Sequence, residues 1–543
     1  MVRRALRLFN TVRHLKPIQV TGRLAAKVRR VRPYHSPAPP VRDVAGLWGL
    51  PRRRPVSMTA PRRFCFLNEE REVAEAADWN RSDWSRLWVY NLHYFDDLDA
   101  LGSEARAPWH EALISRWIAE NPAPSRAGWE PYCLSLRIVN WCRWAWRGHP
   151  LPAGAVQNLA VQARALVDQV EVHLLGNHLF ANAKALIFAG LFFEGPEADR
   201  WLALGRRYLQ AELPEQVLPD GGHFERSPMY HAIIAADLLD LLEAERLAGQ
   251  RLGQEQTAAM RDAAAGMLTW ASAMCHDDGD LSFFNDSASG IAPTAADLDA
   301  LAVPLGLAGG ELAGPVQHLQ SSGYVRARMG PALLLMDVGV IGPDYLPGHA
   351  HADTLSFELS LDRRRLLVNT GTSEYVGDRR RFERGTAAHN SVVVEGRDSS
   401  EVWSSFRVAR RARPMDVTVS GTADSVIISG AHDGYRRLGR GTDHRRSWRL
   451  SSGALVIEDV LTGAPRSAEA WFHFHPDVDV DTSDGEIRLM VDGATVIHAV
   501  FEGGAANLVD GFWSPEFGRL VPNKALCVRF DGLRLVSRWR WSP

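Results

Sequence analysis

Cysteine is scarce: five thiols in 543 residues, scattered, odd in number and never spaced as CxxC. That excludes a disulfide framework and a thiolate zinc site. Long apolar runs are missing too, since ALIFAGLFF at 185–193 is too short to span a bilayer. The N-terminal stretch has neither a secretory apolar segment nor a small-residue cleavage site. The expectation is therefore a soluble protein, cytoplasmic or peripheral to the inner membrane, and periplasmic if the true start differs. GxGxxG, P-loop, GxSxG and HExxH motifs are all lacking, so the common nucleotide, serine-hydrolase and zincin readings have no support. A net charge of only −2 disfavours a general nucleic-acid binder.

What is present is an ordinary globular composition, 46% apolar and 23% charged, in a chain too long for one core. Charge is unevenly spread. Residues 1–63 hold 16 Lys and Arg against one acid, Asp43, which leaves the remainder at about −17. Within this basic arm, Leu6, Leu8, Phe9, Val12 and Leu15 form a loose apolar stripe among arginines, as in an interfacial helix. The arm is expected to contact anionic membrane or an acidic glycan, or else to wrap over the acidic body. Tryptophan is abundant at 18 residues, as core or as platforms for sugar rings.

From about 70 to 310, apolar residues recur at steps of three and four. Helices are predicted near 107–120, 133–147, 155–175, 178–193, 198–211, 229–248 and 255–275. From about 320 the period changes to two, with short strands between Gly and Asp turns. Helices first and strands second predict an α+β multidomain chain, an α/α layer followed by an antiparallel β-sandwich. The boundaries are a basic arm at 1–63, a helical domain at 64–315 and a sandwich at 316–543.

Three polar clusters interrupt these patterns. GNHLFANAKAL brings Asn177 and His178 to a helix start, and GGHFERSPMYH brings His223, Glu225, Tyr230 and His231 to the next strong N-cap, Ser227. PGHAHADTLSFEL, with His349 and His351, precedes a strand and is followed by TAAHNSVVV with His389. Singly, each histidine reads more readily as a cap or packing group than as a catalyst.

Taken with LWVYNLHYFDDL, GWEPYCLSLRIVNW and RGTAAHNSVVVEG, these segments resemble the heparinase II/III-like family over about 80–543. The resemblance implies an incomplete α/α toroid joined to the sandwich. It also implies a carbon–oxygen lyase that cleaves a uronate-containing polysaccharide by β-elimination; the motif set looks most like bacterial exopolysaccharide- and capsule-associated relatives. That chemistry needs a base for the proton α to the carboxylate, an acid for the leaving oxygen and a donor for the developing enolate. By motif matching, His178 and Tyr230 would be the base and acid, with His349 assisting across the cleft. Asn177 would bind the carboxylate; Arg137, Glu225 and His231 complete the substrate-binding candidates.

The family often carries one structural zinc, and no other cofactor is implied. His351 and His389 match its ligands, but Asn369 stands at the third position, where zinc favours an anionic oxygen. A hydrogen-bonded network holding the same loops is the alternative. Two other functions remain open: a uronate C5-epimerase on the same fold, and a non-catalytic glycan-binding or assembly protein of an exopolysaccharide pathway.

Overall fold

The computed structural model describes residues 2–29, 31, 34–49, 54–124, 126–483 and 486–542. The basic segment opens with two helices, α1 (Val2–Val12) and α2 (Pro17–Val28). Pro17 takes the first helical turn, where its missing N–H costs nothing. Residues 34–43 run along the helical layer. There Arg42 donates to the carbonyls of Leu191 and Phe193 at 3.0 and 2.7 Å. A three-stranded antiparallel sheet (Met58–Ala60, Arg63–Phe66, Glu69–Glu72) then runs across the expected junction at 63/64.

The helical layer comprises α3 (Arg86–Tyr94), α4 (Ala107–Glu120), α5 (Pro131–Trp146), α6 (Ala155–Val167), α7 (Gly176–Phe192), α8 (Pro196–Gln216), α9 (Pro228–Leu247), α10 (Gln254–Ala273) and α11 (Ala295–Ala302). Each predicted helix is present. α6 stops well short of 175, because Asn182 Oδ1 takes the Glu171 N–H at 2.8 Å and Leu175 turns to φ 62°. Trp79, Trp88, Trp117, Trp141, Trp144 and Trp270 are fully buried, so these indoles are core rather than sugar platforms.

The strand region follows the predicted period. Ala454–Leu461 alternates buried and half-buried positions at the middle of an eight-stranded antiparallel sheet, paired on one side with Arg534–Arg540. A four-stranded sheet packs with it around Trp448, Ile457, Phe472 and Trp539. A five-stranded sheet joins the two domains. Its strand Ala332–Asp337 is buried throughout because both faces are covered. Leu334 and Met336 face the sandwich core, while Leu333 and Leu335 meet Trp270, Met274 and Phe284 of the helical side. Polar contacts pin the same seam. Trp270 Nε1 donates to Ser322 Oγ at 2.9 Å, and Asp220 Oδ2 accepts from the Ser322 N–H at 2.7 Å.

Candidate active site

Two helix starts and two sandwich loops converge at this seam. α7 begins on Gly176 at φ 55°, and a Cβ there would come within 2.5 Å of both Leu346 and Glu225. Only glycine fits, which lets the Glu225 carboxylate reach the helix N-terminus. Glu225 accepts from the Asn177 N–H at 3.0 Å and from Asn177 Nδ2 at 3.2 Å. The Asn177 amide is thereby held facing His349, whose Nε2 lies 3.4 Å from Nδ2.

α9 starts as predicted. Ser227 Oγ accepts from the Tyr230 N–H at 3.1 Å, and Pro228 occupies the first turn. This places the Tyr230 ring 3.9 Å from the His349 ring and its hydroxyl 2.8 Å from that of Tyr375. Burial first, then the neighbouring Tyr375, Tyr132 and Asp286, hold the Tyr230 phenol well above its ordinary range. Each of these leading influences acts in the same direction, so Tyr230 stays protonated at neutral pH.

His178 lies half-buried on α7, with its ring 4.6 Å from Tyr132 and Nδ1 3.1 Å from Glu171 Oε2. Burial alone would lower its pKa. Glu171, through charge and hydrogen bond and with help from Glu225, reverses that and raises it. An ionised carboxylate only accepts, so the proton sits on Nδ1 and Nε2 carries the lone pair in the neutral ring.

His349 is organised in the same way. Nδ1 lies 2.8 Å from Asp286 Oδ2. Asp286 is fully buried, and burial opposes its charge. Arg380, His349 and His351 outweigh this and keep it ionised well below the usual carboxylate range. Arg380 comes from the short helix Asp378–Glu383, and its guanidinium also lies over the Tyr375 ring at 5.2 Å.

Of the sequence candidates, Asn177, Glu225, Tyr230 and His349 thus meet in one cluster, with His178 one residue from Asn177. Two do not join it. Arg137 is sealed in the helical core, donating to Gln162 Oε1, His93 O and Gly128 O at 3.0, 3.1 and 2.7 Å above the Trp117 ring. Every arm of its guanidinium is taken, so it does not face substrate. His231 points away from Tyr230, stacks on Trp270 and pairs with the Met267 carbonyl at 2.9 Å; burial lowers its pKa to about 4. Both side chains are buried and partnered outside the cluster. Glu171, Tyr132, Asp286, Tyr375 and Arg380 belong to the site although spacing did not single them out.

The zinc expectation does not fit the donor set. His351 Nδ1 faces His389 Nε2 at 3.3 Å, and His351 Nε2 is engaged by Asp286. Asn369 contributes a neutral amide whose Oδ1 accepts from the Asn390 N–H. Among the described residues, no three His, Cys, Asp or Glu side chains come together as a metal cradle. The groups form instead the hydrogen-bonded network that ties the His349 loop to Asp286.

Family models match this chain in two blocks: heparinase II/III N-terminus over residues 154–295, and heparinase II/III-like, C-terminal, over residues 312–542. FtsZ-localized protein C of Caulobacter vibrioides is 27% identical over 449 residues, 76% of this chain and 74% of that protein. A heparin-sulfate lyase of Bacteroides stercoris is 24% identical over 331 residues, 55% of this chain and 46% of that protein. The chain thus matches less than half the length of that lyase. The crystal structure of heparinase III superimposes with a TM-score of 0.66 at 18% identity, covering 85% of this chain and 79% of that one. This last likeness shows the shared fold, a toroid joined to a sandwich.

Proposed function

The chain belongs to the heparinase II/III-like family, and from that premise we propose that it is a polysaccharide lyase acting on a uronate-containing glycan by β-elimination. One observation carries the reading: Asn177, Glu225, Tyr230 and His349 converge where the toroid meets the sandwich. In the proposed reaction, Asn177 Nδ2 and the His349 imidazole receive the uronate carboxylate as charge builds on it. Nε2 of His178 takes the C5 proton. The C4–O bond breaks, the leaving oxygen takes the Tyr230 phenolic proton, and a C4=C5 double bond remains.

The electrostatics support this division of roles. A phenol pushed up by burial and by neighbouring oxygens is a poor base at neutral pH but holds its proton until the leaving group develops charge. A histidine raised by Glu171 is a stronger base than a free imidazole. Related proteins named as heparin-sulfate lyases support an acidic polysaccharide as the substrate class.

Similarity to FtsZ-localized protein C over most of the chain supports a second reading, in which the fold binds glycan or serves an assembly without turnover. Incubation with a panel of soluble polyuronates in heavy water separates the readings. A lyase generates an unsaturated product absorbing in the far ultraviolet. An epimerase incorporates deuterium at C5 with the chain intact. Glycan binding without either change supports the non-catalytic reading and overturns the lyase.

A further inference from the structure

The first two helices are built the wrong way round for a surface helix of a globular protein. Such a helix buries its apolar stripe and shows its polar face to water. In α1, Asn10 and Thr11 are half-buried against the body, as is His14 in the turn that follows, and Thr11 Oγ1 accepts from Trp403 Nε1 at 3.1 Å. Leu6, Leu8, Phe9 and Val12 stand on the opposite side, with Leu6 52% and Phe9 58% exposed. α2 repeats the arrangement. Gln19 is buried and donates to the Tyr345 carbonyl at 3.0 Å, and Gly22 packs against His173. Leu24 and Val28 point outward at 62% and 81% exposure.

Large apolar side chains left exposed on the outer faces of both helices mark a contact surface. Its setting identifies the occupant. Residues 1–42 contain no acid, while Arg4, Arg7, Arg13, Arg23, Lys27 and Arg29 flank the exposed side chains. A second copy would bring this positive charge against itself. A soluble glycan would meet the cations but gain little from bare aliphatic side chains. A lipid surface with anionic headgroups satisfies both features at once.

We propose that α1 and α2 form a bilayer-binding face that inserts Leu6, Phe9, Val12, Leu24 and Val28 among the headgroups of an anionic membrane. The face sits beside the candidate active site. Lys16 bonds Glu215 Oε1 at 2.8 Å and lies 3.8 Å from the centre of the Tyr345 ring, and Leu346 next in sequence lies against Gly176. A membrane-bound chain therefore holds the Tyr345–Leu346 loop, which borders the candidate site, close to the lipid surface.

Flotation of the full chain with phosphatidylglycerol-containing vesicles, against pure phosphatidylcholine vesicles, tests this. The chain should float with the anionic vesicles only, and less as salt rises. The double variant Phe9→Glu/Leu24→Glu should lose at least about tenfold of that binding, with an unchanged melting temperature because both side chains are exposed. Absence of flotation overturns the proposal, as does a double variant that floats like the wild type. Sedimentation showing a dimer that the variant dissolves, or retention by immobilised alginate in place of vesicles, assigns the face to another occupant and also overturns it.

Discussion

The hydroxyls of Tyr230 and Tyr375 meet at 2.8 Å, one from the first turn of a toroid helix and the other from a sandwich loop. Proton control at Tyr230 therefore depends on both domains. Tyr375 raises the Tyr230 pKa through its charge and its hydrogen bond. Tyr375→Phe should lower that pKa, so the alkaline limb of the kcat/KM profile should move to lower pH. The fold should lose no more than the hydrogen bond, about 1 kcal/mol. An unmoved alkaline limb would show that Tyr230 titrates independently of its partner.

Glu171 raises the pKa of His178, which must be neutral to act as base. Glu171→Gln should let burial prevail and lower it, shifting the acidic limb of kcat/KM to lower pH. Stability should respond as well. A raised folded-state pKa contributes stability below the unfolded value of about 6.5, and that contribution fades as pH rises through the folded value. With burial prevailing, the sign reverses, and the variant should lose stability as pH falls through this range. A wild-type slope in the variant would contradict the pairing.

Asp286 presents the opposite sign. Its folded pKa is depressed, so its stabilisation is present above the unfolded value of about 3.9 and disappears as pH falls toward the folded value. Asp286→Asn should remove that acid sensitivity. It should also destabilise the protein at neutral pH by about 3–5 kcal/mol, since Arg380 is left buried without its partner. Chemical denaturation at neutral and acidic pH measures both effects.

The architecture was legible because each half keeps one hydrophobic period. α9 runs Pro228–Leu247, and its start was written in Ser227 and Pro228. The site was legible only where polar residues stand at such starts. Arg137 and His231 lie outside the cluster, and the same period already places them in the core. Arg137 follows Leu134 by three and precedes Trp141 by four, and His231 precedes Ile234 by three, so both lie on buried stripes. Asp286 and Tyr375 come from irregular segments, where no period relates a residue to a face, and Arg380 from a helix of 6 residues, too short to establish one. Their roles arise from contacts across long separations, such as Asp286 with Arg380, 94 residues apart.

Asn369 marks where this chain departs from the implied zinc set. Purified protein should melt at the same temperature with and without a chelator. Asn369→Asp should restore the anionic donor at the third position of the implied set and make the melting temperature rise on adding zinc. A chelator-sensitive wild type would contradict the hydrogen-bonded network.

Arg137→Met should act on stability alone. It leaves the buried carbonyls of His93 and Gly128 without their donor, at about 1–3 kcal/mol for each group. Turnover per folded molecule should stay at the wild-type level. A selective rise in KM with unchanged melting would return Arg137 to the substrate.

In the proposed reaction, Tyr230 protonates the leaving oxygen of a uronate glycan. The direct measurement is the initial rate of unsaturated-product formation by wild type and Tyr230→Phe on the same polyuronate. The phenyl ring keeps its packing against His349, so melting temperatures should agree within the loss of one hydrogen bond. The rate should fall by about 10²–10⁴, the scale for deleting a positioned acid. A folded variant that keeps more than about a tenth of the wild-type rate would contradict the assignment.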